Sequence, residues 1–115
     1  MRALTLVAAL IVAFPAAAQT QAEMNETACS AYADSDAALN RTYRSVVAVL
    51  RSQPRRLSAL RTAQRTWVSY RDQHVRSMCP NPSECGSIWP LQRCSSLRQL
   101  TDARTELLNQ DFLSN

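Results

Sequence analysis

Three stretches with a helical pattern of apolar positions follow one another along the chain, and prolines separate them. The first stretch runs from about residue 21 to 52. Its apolar side chains recur every three or four positions, at Leu39, Tyr43, Val46 and Leu50. Thr20 and Glu23 have capping-box spacing at its start. The segment "ADSD" at 33–36 favours caps and turns, so this stretch is either one long helix or two.

The second and third stretches show the same helical period. The second begins at Pro54, a residue that suits the first position of a helix, and extends to about Met78. Its inward face is marked by Leu57, Leu60, Gln64, Trp67, Arg71, Val75 and Met78. The third runs from about Leu91 to Phe112. It offers Cys94, Leu97, Leu100, Leu107 and Leu108 to the core. The pattern predicts an all-α fold, a small disulfide-stabilised bundle of three to four helices.

Polar residues flank the tryptophan of the second stretch on the face that is predicted to be buried. Gln64, Trp67 and Arg71 fall on one side of a helix. Catalysis would require a nucleophile or a base with a tuned pKa, and this stripe contains neither. We therefore interpret the three residues as a structural network, with its polar partners to be found among Asp36, Asn40 and Asp102. No catalytic residue is assigned, and we do not expect an enzyme.

The N-terminal segment has the features of a secretory signal. Arg2 precedes an apolar run at residues 3–14, and Ala16-Ala17-Ala18 forms a small-residue cleavage pattern. The run is shorter than the roughly 20 residues that cross a bilayer. We expect a signal peptide at residues 1–18 and one domain at 19–115, exported to the periplasm or secreted, and not embedded in a membrane.

Four cysteines in an exported domain of this size predict two disulfide bonds. The compact, proline-containing path between Cys79 and Cys85 favours Cys79–Cys85 with Cys29–Cys94. The rival pairing is Cys79–Cys94 with Cys29–Cys85. Five residues separate Cys79 from Cys85 and the chain has a single histidine, so no metal and no cofactor are expected.

The segment "CPNPSECGSIWP" at residues 79–90 contains three prolines and the only glycine. This composition predicts a loop, and loops on a rigid scaffold often carry function. We assign it as a candidate partner-binding loop with Trp89 as an aromatic anchor. The candidate contact residues are Glu84, Ser87, Ile88 and Trp89.

The basic residues are all arginine, thirteen in number, and nine acidic residues oppose them. Because we expect the acids to be interleaved with the arginines, we predict a solvated charged surface and no nucleic-acid partner.

The order of motifs along the chain resembles the exported family named after the lysozyme inhibitor LprI. An early Cys29 is followed by "DAALNRTY" (36–43), "AQRTWVSYRD" (63–72), "GSIWP" (86–90) and "CSSLRQLTDARTELL" (94–108). The resemblance implies a small helical exported domain. Members usually carry a cysteine about where Val75 stands, one helical turn before Cys79, and this departure lends support to the rival disulfide pairing.

Two functions follow from this resemblance. The first is an envelope or periplasmic binding protein with a protein partner, an inhibitor of lysozyme-type muramidases. The alternative is a structural or accessory envelope protein that has another partner and does not inhibit lysozyme. A basic net charge counts against the first function where the lysozyme is itself basic.

Overall fold

A computed structural model describes residues 9–12 and 19–114, and its helical part begins at Gln21. Three α-helices account for most of it: α1 (Gln21–Val49), α2 (Pro54–Met78) and α3 (Trp89–Leu108). A short 3₁₀ turn, Pro82–Glu84, lies between α2 and α3, and a π-helical turn, Asn109–Leu113, follows α3. The described residues form no strand, so the all-α prediction is confirmed.

The predicted signal peptide lies outside the described residues, apart from the exposed, irregular segment 9–12. None of the described helices combines the length and the apolar character needed to cross a membrane.

Helix α1 is a single helix that continues without a break through "ADSD" at 33–36. The Thr20 hydroxyl accepts a hydrogen bond from the Glu23 backbone N–H at 3.1 Å, which caps its first turn. Within "ADSD", Ser35 is 8 % exposed and faces the interior. Packing along the full length of the helix therefore overrides the local preference of Asp and Ser for turns.

The three helices form an up-down-up arrangement in which α1 and α3 are parallel and α2 runs antiparallel to both. At one end of the bundle, Cys29 of α1 is bonded to Cys94 of α3. At the other end, Leu108 of α3 packs with Val46 and Leu50 from the end of α1. We call the first the loop end, because residues 79–88 lie there. We call the second the basic end, because the exposed arginines Arg51, Arg55 and Arg56 lie there.

The core consists of two apolar clusters, one toward each end. The cluster toward the basic end contains Leu39, Val46, Leu50, Leu60 and Leu108. The cluster toward the loop end contains Val75, Cys79, Trp89 and Leu97. A domain with such small clusters gains from covalent cross-links, because the area that it can bury is limited.

The prediction of burial is wrong for two residues, Met78 and Leu107. Met78 is 48 % exposed, because α2 ends there and the neighbouring Cys79 takes the buried place at 3 %. Leu107 is 45 % exposed while Leu108 is 1 % exposed. Successive residues on a helix point about 100° apart, so only one of these two leucines can face α1.

Candidate functional site

Arg71 links α2 to α1 through a combination of charge and aromatic contacts. Its side chain is 11 % exposed, with Nε donating to Asp72 Oδ1 at 3.0 Å and a terminal nitrogen 3.9 Å from Asp36 Oδ1. The guanidinium carbon lies 5.2 Å from the centre of the Trp67 ring and 5.9 Å from that of Tyr32. A cation over aromatic faces is attracted by their quadrupoles. The Asp36 partner was among those predicted, whereas Asp72 lies next to Arg71 along the helix.

Gln64 forms a second polar link, in this case from α2 to α3. Its side-chain oxygen accepts a hydrogen bond from Arg104 Nε at 3.0 Å. Burial lowers the pKa of Arg104, and the nearby Asp111 carboxylate acts in the opposite direction. The expectation that Asp102 would serve this network is not met, because Asp102 pairs with Arg98 at 3.6 Å. Sequence spacing alone could not have selected Arg104, since its register depends on how α3 docks.

The loop between α2 and α3 is held by several independent constraints. The structure bonds Cys79 to Cys85 across it. Inside this small ring, the Asn81 amide donates to Glu84 Oε1 at 3.1 Å and the Ser83 hydroxyl donates to Asn81 Oδ1 at 2.8 Å. Every residue of such a network has fewer conformations to lose when a partner binds.

The loop is also attached to α1. The Asn25 amide donates to the Ser87 carbonyl at 3.0 Å, and one turn further along α1 Cys29 is bonded to Cys94 of α3. Gly86 has φ of +74°, a left-handed conformation that side chains with a Cβ rarely adopt. This turn therefore fixes the direction in which residues 87 and 88 leave the ring.

The four candidate contact residues of the loop separate into an exposed group and a buried one. Glu84 and Ser87 are exposed, and Ile88 is 44 % exposed for a large apolar side chain. Trp89 is only 8 % exposed and belongs to the core cluster at the loop end. The prediction of Trp89 as an aromatic anchor for a partner is therefore wrong. Trp89 begins α3 and points inward, and Ile88 is the apolar side chain that the loop presents.

A cleft of about 680 Å³ lies beside the loop, between the end of α2, the start of α3 and the first half of α1. Arg71, Arg76 and Arg93 line it together with one carboxylate, Asp72. Tyr32, Trp89 and the loop prolines Pro80 and Pro82 complete its walls. Arg76 and Arg93 are exposed, so their guanidinium groups are available to a carboxylate of a partner.

No catalytic constellation is apparent around this cleft. His74 is exposed and stacks against Tyr70, with ring centres 5.8 Å apart. Within residues 9–12 and 19–114, no three His, Cys, Asp or Glu side chains are grouped closely enough to hold a metal ion. The groups that this surface exposes are the guanidinium groups of Arg76 and Arg93, the Ile88 side chain and a cross-linked loop.

Comparison with known proteins decides the family. The family described as lysozyme inhibitor LprI matches residues 14–108. The chain belongs to this family. It is also 33 % identical over 104 residues to an uncharacterized protein of Rhizobium meliloti (strain 1021), an alignment that covers 81 % of this chain and 74 % of the relative. No solved structure matches the chain.

Membership in the LprI family bears on the polar stripe as well. The segment that contains Gln64, Trp67 and Arg71 lies within the matched residues. In this chain the stripe connects α2 to both neighbouring helices, which supports a structural role for it.

Proposed function

We propose that this LprI-family member is an exported envelope protein that binds and inhibits a lysozyme-type muramidase. The observation that carries the proposal is the match to the lysozyme inhibitor family across residues 14–108. Two disulfide bonds fit an oxidising compartment outside the cytoplasm, where such bonds persist.

The loop end is the surface proposed to meet the enzyme. Ile88 supplies an exposed apolar contact three residues beyond the closed ring from Cys79 to Cys85, and this ring contains Glu84. Binding energy at protein interfaces is concentrated in a few well-placed side chains, and a rigid loop loses little entropy on docking. Arg76 and Arg93 stand at the adjacent cleft, and lysozyme-type enzymes hold two catalytic carboxyl groups that guanidinium groups can pair with.

Acidic residues on α1 reduce the repulsion expected between a basic inhibitor and a basic lysozyme, although Arg76 and Arg93 also lie at this end. Residues 19–36 contain four acidic residues and no basic one. Glu23, Glu26 and Asp34 border one shallow depression on α1. Asn25 of the same segment contacts the loop, so these carboxylates lie at the loop end. A basic enzyme approaching this end meets negative charge, which favours encounter.

The test is inhibition of a muramidase on a suspension of cell walls, measured as loss of turbidity. Ile88→Gln is expected to raise the inhibition constant about tenfold or more, since it replaces an apolar contact at the centre of the proposed interface. Its melting temperature should stay near that of the wild type, because Ile88 is half-exposed.

Leu107→Gln is the matched control for Ile88→Gln. Leu107 is 45 % exposed, against 44 % for Ile88, and lies near the far end of α3. This variant should inhibit as well as the wild type. Equal loss in both variants would contradict the loop as the contact surface. A wild-type protein that inhibits no muramidase, animal-type or bacterial, would reject the proposed function and leave the accessory envelope role.

A further inference from the structure

The arginines of this protein are segregated rather than interleaved with acids, contrary to expectation. From residue 37 to residue 71 there is no Asp or Glu. Seven arginines between residues 37 and 70 are all exposed: Arg41, Arg44, Arg51, Arg55, Arg56, Arg61 and Arg65. The fold places this segment on the second half of α1, the following turn and the first half of α2, which together form the basic end.

These arginines are not neutralised within the described part of the protein. The ion pairs among residues 19–114 involve only Arg71 and Arg98. Arg56 donates to Gln53 and Arg65 to Thr62, both uncharged acceptors. Glu106 and Asp111 lie toward the same end but within ion-pair distance of none of the seven. Like charges four apart on a helix, such as Arg61 and Arg65, repel each other and oppose folding. Because these arginines repel one another and form no ion pair within the described residues, an anion bound from outside would stabilise them.

The distribution of the seven side chains indicates the kind of anion. They lie on two antiparallel helices and the turn that joins them, and the two depressions found along this segment are each lined by one of them, Arg65 in one and Arg56 in the other. Along each helix the basic segment extends roughly 15 Å, from ten residues at 1.5 Å each. A small phosphate or carboxylate could touch only a fraction of such a surface, whereas an extended anionic sheet can face most of it.

The turn at the tip of this end adds an apolar contact. Val49 is 51 % exposed where α1 ends, and Arg51 and Arg55 follow it within six residues. Leu50 beside it is completely buried and anchors the turn to the core. An exposed apolar side chain close to arginines suits the boundary between lipid headgroups and acyl chains. There the apolar group contacts the acyl chains and the guanidinium groups contact the headgroups.

We propose that the basic end is a docking surface for a membrane rich in anionic phospholipid, which the protein contacts peripherally through the α1–α2 turn. Near a negatively charged bilayer each arginine is worth about 1 kcal/mol, so each one removed should weaken binding about fivefold. The attraction is electrostatic and should decrease as salt rises, because the screening length shortens from about 10 Å at 0.1 M to 3 Å at 1 M.

The test is co-sedimentation of the protein with vesicles, after expression of the full chain and recovery from the periplasm. Vesicles of phosphatidylglycerol with phosphatidylcholine are compared with vesicles of phosphatidylcholine alone, at low and at high salt. The wild type should bind the anionic vesicles and release them as salt rises. All variants share one N-terminus, so any contribution from that segment is common to them.

Two double variants that lower the net charge by the same amount test whether the position of the arginines matters for vesicle binding or only their number. Arg51→Gln/Arg55→Gln, at the tip, should weaken binding to anionic vesicles about 25-fold. Arg76→Gln/Arg98→Gln, exposed but nearer the loop end, should change binding less than about threefold, because those side chains lie beyond a screening length from the surface. Circular dichroism should show that both double variants remain folded.

Three outcomes would overturn the proposal. The first is a wild type that does not distinguish anionic from neutral vesicles. The second is equal loss of binding in the two double variants, which would mean that only the net charge matters. The third is binding to soluble polyphosphate without binding to anionic vesicles, which would assign the basic end to a phosphate polymer instead of a membrane.

Discussion

Arg71 illustrates how a charged side chain contributes to a core with little apolar area. Its guanidinium lies 5.2 Å from the centre of the Trp67 ring and 5.9 Å from that of Tyr32, and its two carboxylate partners come from α1 and from its own helix. Asp36 and Asp72 are both about half exposed, so they remain hydrated if Arg71 is removed. The interaction therefore positions α2 against α1 without burying a charge completely.

Replacement of Arg71 by methionine should lower the free energy of unfolding by about 1 kcal/mol. The methionine retains the apolar stem over the two rings but loses the cation–π and ion-pair attraction, each modest when it is partly solvated. Urea unfolding followed by tryptophan fluorescence measures the change.

Arg98→Met provides the control for Arg71→Met. Arg98 pairs with Asp102 one turn away, and both are more than half exposed. Exposed pairs of this kind contribute about 0.5 kcal/mol or less. If the two variants lost equal stability, the location of Arg71 near the aromatic rings would have no special importance.

At the scale of the elements, the helical pattern determines most of what the sequence can predict. Proline at the start of α2 and the apolar period in each stretch locate three helices without knowledge of their packing. The length of α1 is different, because Ser35 becomes buried only when another helix covers it. Trp89 likewise becomes buried because it is the first residue of α3 and this helix packs against the core. The loop-like composition of the segment before it does not indicate this burial.

The two disulfide bonds also act at the scale of the elements, because one closes a loop and the other joins two helices. In the structure Cys79–Cys85 closes the loop locally, while Cys29–Cys94 joins α1 to α3 across 65 residues. In the chain-entropy model a closure of this length contributes about 4 kcal/mol and the short ring about 2 kcal/mol. The long bond should thus stabilise the fold, and the short one should chiefly shape the loop.

Non-reducing tryptic mapping is expected to reveal this pairing directly. Cleavage after Arg76 and Arg93 leaves Cys79 and Cys85 in one peptide, residues 77–93. That peptide should appear alone, lighter by its two thiol hydrogens, and the peptide 94–98 should be joined to the one that contains Cys29. The rival pairing would instead link all three peptides in one species, and reduction would separate them.

At the scale of the whole molecule, charge is arranged along the bundle axis in a way that the net charge conceals. Four acids and no base occupy residues 19–36, and seven arginines and no acid occupy residues 37–70. The two segments adjoin within α1, but because α1 is a single helix of 29 residues, its first acidic residues and the arginine-rich turn that follows it lie at opposite ends, roughly 40 Å apart. The segregation is present in the sequence, but its spatial meaning requires that α1 be unbroken and that α2 fold back on it.

Two ends separated by several screening lengths should act independently, and this is a prediction about the molecule as a whole. Arg51→Gln/Arg55→Gln should release the protein from anionic vesicles while its inhibition of a muramidase stays within about twofold of the wild type. Ile88→Gln should show the converse, with weaker inhibition and unchanged vesicle binding. Turbidity and co-sedimentation on the same preparations measure both properties.

The combined experiment also distinguishes how the two proposals fail. If the arginine variant lost inhibition as well, the basic end would take part in enzyme binding and the ends would not be independent. If the wild type bound vesicles but inhibited no muramidase, the membrane surface would stand and the inhibitor role would not. A protein held by its basic end directs Glu84 and Ile88 away from the membrane, toward whatever enzyme approaches from the other side. Independent ends are therefore what an inhibitor stationed at a membrane requires.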